Sequence, residues 1–248
     1  MNEYCKRFWE NQFVPLGTLL GAALIVVGII AASTAVSIKN ASNVLSVTGS
    51  ATKTVTADRA IWTIASTRSS FESGLPQTTA QVVADSAKVM DFFKNAGIAA
   101  ESITIGAVHT DQDYSYSSDV NAPKRYQVRQ DVKVASNDPS LIQKLAQNIT
   151  ALTNQGLVLF IQDPQYYVSS LPELRVSLMS DAIADAKARA EQIVKTTGQG
   201  VGRLQSASSG VVQVLAGNST EVSDYGAYDT STIDKTVMVT VRATFFVK

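Results

Sequence analysis

An uncharged apolar run near the N-terminus is the strongest constraint on the fold. Between Leu16 and Ile38 the chain carries no acidic or basic residue. At about 1.5 Å rise per residue, a helix over this run crosses roughly 30 Å of bilayer hydrocarbon. Lys6 and Arg7 precede the run, and basic residues favour the cytoplasmic side of a membrane. The sequence therefore predicts a short cytoplasmic segment over residues 1–15 and a single transmembrane anchor over residues 16–38.

A cleaved secretory signal is the competing interpretation of the same run. Its densest apolar part, from Leu16 to Ile30, is short enough for a signal peptide, and Ser33-Thr34-Ala35 offers small residues for cleavage. The region before it is unusually long for a signal, so the anchor is preferred over a soluble periplasmic protein. Both interpretations export the rest of the chain. We therefore expect a single-pass protein of a bacterial-type inner membrane, with its C-terminal domain in the periplasm.

Composition limits the chemistry available to the exported part. Lys+Arg and Asp+Glu both number 21, and this balance argues against nucleic-acid binding, which usually accompanies a basic excess. The only cysteine, Cys5, precedes the apolar run, which excludes disulfides and cysteine-ligated zinc in the exported part. Because His109 is the only histidine, the chain has few candidate residues for a Ser-His-Asp or Cys-His catalytic system. We expect no enzymatic activity, no catalytic residues, no cofactor and no metal ligands.

Hydrophobic periodicity predicts an α+β domain over residues 44–248, joined to the anchor by a linker at residues 39–43. Strands are expected at Val44–Thr56, Ala60–Arg68, Ile103–Thr110, Tyr126–Ala135, Leu157–Ile161 (with Tyr166–Ser169 as an extension), Leu204–Leu215 and Thr236–Val247. Helices are expected at Thr78–Asn95, from Pro139 to about Gly156, and from the Ser170-Leu171-Pro172-Glu173 capping box to about Thr197. The order is ββαββ-αβαββ, with antiparallel sheets packed with helices and the first two strands forming a hairpin.

Regular spacing identifies the faces expected to be buried. On the long C-terminal helix, apolar residues recur every four positions: Leu174, Leu178, Ala182, Ala186, Ala190 and Val194. The last strand alternates, with one face formed by Val237, Val239, Val241, Ala243, Phe245 and Val247. The strand from Tyr126 alternates apolar and polar residues, which predicts one wet face and antiparallel pairing. Trp62, on an early strand, is expected in the core.

The order of several short motifs resembles one known family. Val47-Thr48-Gly49-Ser50, then Val55, then Asp58-Arg59-Ala60, is similar to the opening of the SIMPL-domain family. Further similarities are Gly97-Ile98 with Ile103-Thr104, the tyrosine-rich stretch before Tyr126, the strand up to Val134 and the segment from Ala182 to Ala190. Together they cover roughly Val44 to Lys248. Ala57 departs from the family, which often has proline at this position. Ser50 also departs, because a second small or acidic pattern is common there.

The resemblance implies an exported α+β domain that is periplasmic or envelope-associated in bacteria. It also implies a family in which some members form ring-like or channel-like oligomers and some are linked to envelope or oxidative stress. It implies no reaction, because the family has no established active site. Fold alone does not define an activity, so a function has to be argued from particular residues.

Two residue clusters have simple structural interpretations. Strand alternation would place His109, Asp111 and Asp113 on one face, but a fourth metal ligand is not evident. A solvated strand end accounts for this motif. The glycines at 198, 200 and 202 follow a helix, whereas a phosphate-binding loop precedes one, so we interpret them as helix termination.

Two polar loops contain the candidate contact residues. Asp111–Asp119 and Glu221–Asp229 each combine acidic residues, serines and two tyrosines, and each precedes a strand. The spacing of a calcium-binding hand is absent, so a polar mobile loop and a contact surface are the main interpretations. Tyrosine buries a large area at a low entropy cost. For the second interpretation, we predict partner contacts at Tyr114, Tyr116, Tyr225 and Tyr228.

Three functional hypotheses follow. The first is a non-enzymatic, membrane-anchored envelope protein that forms homo-oligomers through its SIMPL-like domain, with a role in envelope stress. The second is a binding module for a small ligand or an envelope partner, with the tyrosine loops as its contact surface and the ligand unknown. The third, a hydrolase with carboxylate chemistry, lacks a recognisable pair of acids. Membrane contact is expected through residues 16–38, and no nucleic-acid partner is expected.

Overall fold

The computed structural model describes residues 18–34, 43–114, 122–217, 219 and 225–248. A first helix, α1, covers residues 18–34, and its large apolar side chains are exposed, from 54% at Val26 to 73% at Leu19. Among the described residues, no helix has both the length and the apolar character needed to cross a membrane. The predicted cytoplasmic segment, the remaining residues of the predicted anchor and the linker up to residue 42 lie outside the described residues.

The described chain continues with eight strands and four helices. The strands are β1 (Val44–Thr56), β2 (Arg59–Phe71), β3 (Ile103–Gln112), β4 (Arg125–Ser136), β5 (Leu159–Ile161), β6 (Gln165–Tyr167), β7 (Val201–Ala216) and β8 (Asp234–Val247). The helices are α2 (Leu75–Asn95), α3 (Pro139–Gln147), α4 (Thr150–Thr153) and α5 (Leu171–Lys195), with short 3-10 turns at Glu72–Gly74 and Ala100–Ser102. The fold is α+β with antiparallel sheets packed with helices, as predicted.

The larger sheet has the strand order β3-β4-β2-β5, and β6 also pairs with β2. β2 and β4 run antiparallel, from Ala60 opposite Ser136 to Phe71 opposite Arg125. Along β4, Val128, Val132 and Val134 are buried, while the residues between them are partly or fully exposed except Gln130. The alternation therefore gives one core-facing and one wetter face, which confirms the prediction for this strand.

The core beside the larger sheet is built around Trp62. Its side chain is 1% exposed, and its indole N–H donates a 2.7 Å hydrogen bond to the carbonyl oxygen of Gln162. The Phe93 ring of α2 meets it edge to face, with 5.5 Å between ring centroids. Val89 and Ile142 belong to the same buried cluster. The prediction that Trp62 lies in the core is confirmed.

The smaller sheet has the order β1-β8-β7. Gly202 lies beside Phe246 and Gly217 lies beside Asp234, so β7 and β8 run antiparallel. The predicted inward face of β8 is buried from Val237 to Phe245, and only Val247 is half-exposed. The predicted stripe on α5 is also buried: Leu174, Leu178, Ala182, Ala186, Ala190 and Val194. The small alanines fit the close approach of a helix to a sheet.

The domain divides into two compact units. One contains residues up to Gly49 with Ile183–Ser209 and Val241–Lys248, and the other contains Ser50–Ala182 and Gly210–Thr240. The core of the first unit is small and rests on Ala186, Ala190, Ala243 and Phe245. The core of the second unit is the larger cluster around Trp62.

The predicted hairpin between β1 and β2 is wrong, because the two strands belong to different sheets. The junction between them is Ala57-Asp58, and neither residue has the positive φ that a two-residue hairpin turn requires. Instead, the Ala57 N–H donates to Ile233 O at 2.8 Å and the Asp58 N–H donates to Tyr167 O at 3.0 Å. These long-range hydrogen bonds hold an extended crossing from one sheet to the other.

Three other helix and strand boundaries differ from the predicted ones. α2 begins at Leu75 rather than at the predicted Thr78, and Pro76 lies in its first turn, where a missing N–H costs nothing. The helix from Pro139 is split into α3 and α4, and the Asn148 side-chain amide donates to Lys144 O at the end of α3. β6 does not extend β5 but is a separate strand after Pro164, paired with another part of β2. The glycines that follow helices, Gly97, Gly156 and Gly198, all have positive φ, which is a common way for a helix to end.

Candidate functional site

Two of the four predicted contact tyrosines lie at one cleft. Tyr225 is 96% exposed, Tyr228 is 40% exposed, and both line the same concavity. Tyr114, just beyond β3, is 80% exposed and is not part of this cleft. Tyr116 lies outside the described residues. The structure therefore brings together the tyrosines of the second loop.

The cleft has a volume of about 370 Å³. One wall is the start of α5, with Leu171, Pro172 and Arg175, and a second is formed by Val212 and Val214 of β7. Tyr225–Tyr228 closes the third side. Arg175 is the only charged residue among these lining residues, and in the described part of the chain its guanidinium has no ion pair or hydrogen bond. The cleft is thus mainly apolar and contains one cation, which has no partner among the described residues.

Backbone pairing fixes the tyrosine wall against β7. The Val214 N–H donates to Ala227 O at 2.8 Å, and the Asp229 N–H donates to Val214 O at 2.7 Å. This parallel bridge brings the chain so close that a Cβ on Gly226 would lie 3.3 Å from Val212 O. Gly226 also has φ +84°, which disfavours any other residue there. The wall therefore has a defined position.

The side chain of Tyr228 is held in place by its own contacts. Its hydroxyl oxygen accepts a 3.2 Å hydrogen bond from the Val168 N–H, in the segment that leads into α5. Its ring packs against Tyr167, with 5.9 Å between centroids. Because the oxygen is the acceptor in this hydrogen bond, the phenolic proton can still be donated elsewhere.

Asp229 and Lys235 form a polar cluster next to Tyr228. The Asp229 carboxylate accepts hydrogen bonds from Ser231 Oγ at 2.8 Å, Thr232 Oγ1 at 2.8 Å and Lys235 Nζ at 3.1 Å. The Lys235 side chain is 0% exposed, so its charge depends on this partner. Desolvation raises the pKa of Asp229, but the hydrogen bonds outweigh it and hold the pKa well below its usual value.

Asp58 forms a second polar link, to the segment before α5. Its carboxylate accepts a short hydrogen bond from the Ser169 hydroxyl and a 2.8 Å hydrogen bond from the Ser169 N–H. The hydroxyl hydrogen bond is the main cause of a lowered Asp58 pKa. The aspartate of the Asp58-Arg59-Ala60 motif therefore anchors the chain two residues before the cleft wall at Leu171 begins.

The histidine motif does not assemble a metal site in the described structure. His109 is exposed on β3 opposite Arg129, and Asp113 pairs instead with Arg125 at 3.4 Å. Within the described ranges, no three His, Cys, Asp or Glu side chains are grouped so that they could hold a metal ion. The chemistry that the described cleft offers is a cation, phenolic hydroxyls and apolar surface.

Sequence reasoning missed Arg175, the Asp58–Ser169 link and the Asp229–Lys235 pair. The burial of Lys235 could have been predicted from the sequence, because alternation places it on the same face of β8 as Val237 and Val239. A lysine at an inward position requires an acidic partner, and Asp229 is nearby in sequence. The pairing of Asp58 with Ser169 depends on long-range folding and has no local signal.

Comparison with known proteins places the chain in a family. Among curated proteins, none matches it. The family model for SIMPL, described as a protein of unknown function (DUF541), matches residues 45–245. This match spans the region from β1 to β8, including the motif at Asp58 and every residue of the cleft. The chain therefore belongs to the SIMPL family.

Proposed function

We propose that the chain is a single-pass envelope protein without enzymatic activity, whose exported domain associates with copies of itself. Family membership supports an envelope-type protein of this kind. The proposed anchor, residues 16–38, is supported by its uncharged sequence and by the exposed apolar side chains of α1. A role in envelope stress rests on the family resemblance alone.

The observation that carries the proposed self-association is the edge strand β7. Every residue from Arg203 to Val211 is exposed, and β7 is a terminal strand of its sheet. Apart from β8 and the bridge at Val214, no strand of the described chain pairs with it. Its sequence contains no proline and only one charged residue, Arg203. Proteins usually protect long edge strands with such residues, so this edge is suited to pairing with another strand.

A second copy of the same strand is the occupant that we propose for this edge. Two identical edges related by a two-fold axis pair antiparallel and satisfy each other's backbone groups. Tyr225 lines the same cleft as Val212 and Val214 of β7 and would add aromatic area to the contact. Tyr114 and Tyr116 remain proposed contacts of the first loop. Confinement to one membrane raises the effective concentration, so a modest interface is sufficient.

Cysteine cross-linking tests this arrangement. Cys5 is the only cysteine, so a Cys5→Ser background allows single cysteines to be introduced at each position from Leu204 to Ser208. A disulfide requires Cα atoms within roughly 7 Å, and only residues beside the two-fold axis face their own copies. Mild oxidation of native membranes is therefore expected to give dimers at one or two adjacent positions, with little product two residues away.

Ser177→Cys, on an exposed position of α5, is the matched control for random collision. Equal cross-linking at all β7 positions, or none above the level of Ser177→Cys, would show that β7 does not pair with itself. Either result would rule out the β7 pairing from which self-association is proposed.

The anchor has a separate test. If residues 16–38 stay in the membrane, protein recovered from native membranes retains Cys5, and intact mass measurement gives the full chain. A mature N-terminus near Val36 would establish a cleaved signal. That outcome would make the exported domain soluble and remove the contribution of the membrane to its association.

A further inference from the structure

The charge of the cleft at the start of α5 is not balanced within the described chain. Arg175 is exposed at its rim, and no described acidic side chain pairs with it. Asp229, the acid that follows Tyr228 in the chain, is already engaged by Lys235, Ser231 and Thr232. Among the described residues, the guanidinium is without an ionic partner, and its planar donors match a carboxylate in a bidentate manner.

The remaining surface of the cleft suits a flat apolar body. Leu171, Pro172, Val212 and Val214 supply apolar contacts, and two tyrosines supply ring area. The Tyr228 hydroxyl accepts from Val168 N–H and so keeps its own proton available for a polar group of a ligand. An apolar concavity with a few fixed polar groups is the common form of a small-molecule site.

Backbone pairing and hydrogen bonds hold both walls in the arrangement that such a site needs. The tyrosine segment is fixed by the bridge to Val214, by Gly226 and by the buried Asp229–Lys235 pair. The opposite wall begins two residues after Ser169, which Asp58 holds through two hydrogen bonds. A preformed site loses little conformational entropy on binding. The volume, about 370 Å³, is at the small end of ligand pockets and suits a small molecule.

We propose that this cleft binds a small organic anion with a flat apolar body, of the aryl carboxylate class. The carboxylate pairs with Arg175, and the ring lies against the apolar residues and the tyrosines that line the cleft. The cleft is lined by none of the β7 residues from Arg203 to Ser208, and it shares Tyr225 and Tyr228 with the proposed contact surface.

The test uses 4-fluorobenzoate as the probe, with the neutral 4-fluorobenzamide as its uncharged counterpart. Fluorine NMR line broadening is measured with the full-length protein in detergent, for the wild type, Arg175→Gln, Arg175→Lys and Arg242→Gln. Arg242 is exposed on β8 and is absent from the cleft, so its variant has the same charge change as Arg175→Gln. Detergent binding of the probe is common to all samples and cancels.

The carboxylate probe is expected to bind the wild type saturably. Its affinity should fall at least about tenfold in Arg175→Gln, and the neutral probe should bind the wild type at least about tenfold more weakly, because each change removes the charged hydrogen bonds. Arg175→Lys retains more affinity than Arg175→Gln, and Arg242→Gln behaves like the wild type. Equal binding by Arg175→Gln, or equal loss in both glutamine variants, would overturn the proposal. So would no saturable binding to the wild type. If Arg175→Gln instead disperses oligomers while the wild type ignores the probe, the cleft belongs to a second copy.

Discussion

Lys235 occupies an inward position of β8, on the face that continues with Val237 and Val239. Its side chain is fully buried, and its ammonium group reaches both the carboxylate and the backbone carbonyl of Asp229. A buried ion pair contributes little net stability, but breaking it is costly because one charge remains without a partner. The pair therefore acts mainly to position the segment that carries Tyr228.

This asymmetry predicts different costs for the two partners. Asp229→Asn leaves the buried Lys235 charge without its carboxylate and is expected to cost about 3 kcal/mol of unfolding free energy. Lys235→Met leaves Asp229 with its hydroxyl and backbone donors, so we expect a smaller cost, and we expect the double variant to be more stable than Asp229→Asn alone. Urea denaturation measures all three, and an equal or reversed order of the single variants would contradict the account.

Acid should lower the unfolding free energy of the domain by protonating the carboxylates of Asp58 and Asp229. The pKa values of Asp58 and Asp229 are lower in the folded state than in the unfolded state, where an aspartate titrates near pH 3.9. Their contribution is therefore complete above the unfolded pKa and is lost as pH falls towards the folded pKa. We expect the unfolding free energy to decline below about pH 5, and less steeply in Asp229→Asn. Denaturation midpoints between pH 7 and pH 3 test this, and an identical slope in the variant would exclude Asp229 as a contributor.

At the scale of elements, periodic patterns determined what the sequence could predict. The stripe on α5 and the alternation on β8 were predicted and are buried, because a helix period and a strand period are local properties of the chain. The partner of β1 was not predictable in this way. Ala57-Asp58 separates two strands by two residues, yet its hydrogen bonds go to Ile233 and Tyr167, far away in sequence. The cleft depends on the same long-range contacts, so only its tyrosines were foreseen.

The buried stripe of α5 gives a pair of matched comparisons. Leu178 is 2% exposed and Val176 is 68% exposed on the same helix, so Leu178→Ala is expected to cost about 2 to 5 kcal/mol and Val176→Ala less than about 0.5 kcal/mol. Ala186 is 0% exposed, whereas Ala188 is exposed. Ala186→Asp should strongly destabilise the domain, because it buries a charge, and Ala188→Asp should not. Thermal unfolding of the four variants is the measurement, and similar values within either pair would mean that the buried face is misassigned.

For the whole molecule, two features point towards association. The chain has equal numbers of acidic and basic residues, so no large net charge keeps copies apart. The exposed edge of β7 and the nearby Tyr225 provide a surface that can repeat on a second copy. Membrane confinement, if residues 16–38 remain as an anchor, would strengthen a contact that is weak in solution.

The tyrosines give an independent prediction for this association. Replacing Tyr114, Tyr116, Tyr225 and Tyr228 by serine should shift full-length oligomers towards smaller species, because their aromatic contact area is removed. Cross-linking yield at fixed concentration measures the shift. Unchanged yield, with an unchanged melting temperature, would confine the interface to β7.

Self-association of the full-length chain is the central claim, and light scattering in mild detergent over a range of concentrations tests it most directly. The wild type is expected to show a dimer whose fraction rises with concentration, because two-fold pairing of β7 closes at two copies. Ser206→Lys with Ser208→Lys places two charges on the exposed edge of β7 and should give monomers, while Ser177→Lys with Ser180→Lys on α5 should not. A wild type that remains monomeric at every concentration and in several detergents would contradict the account.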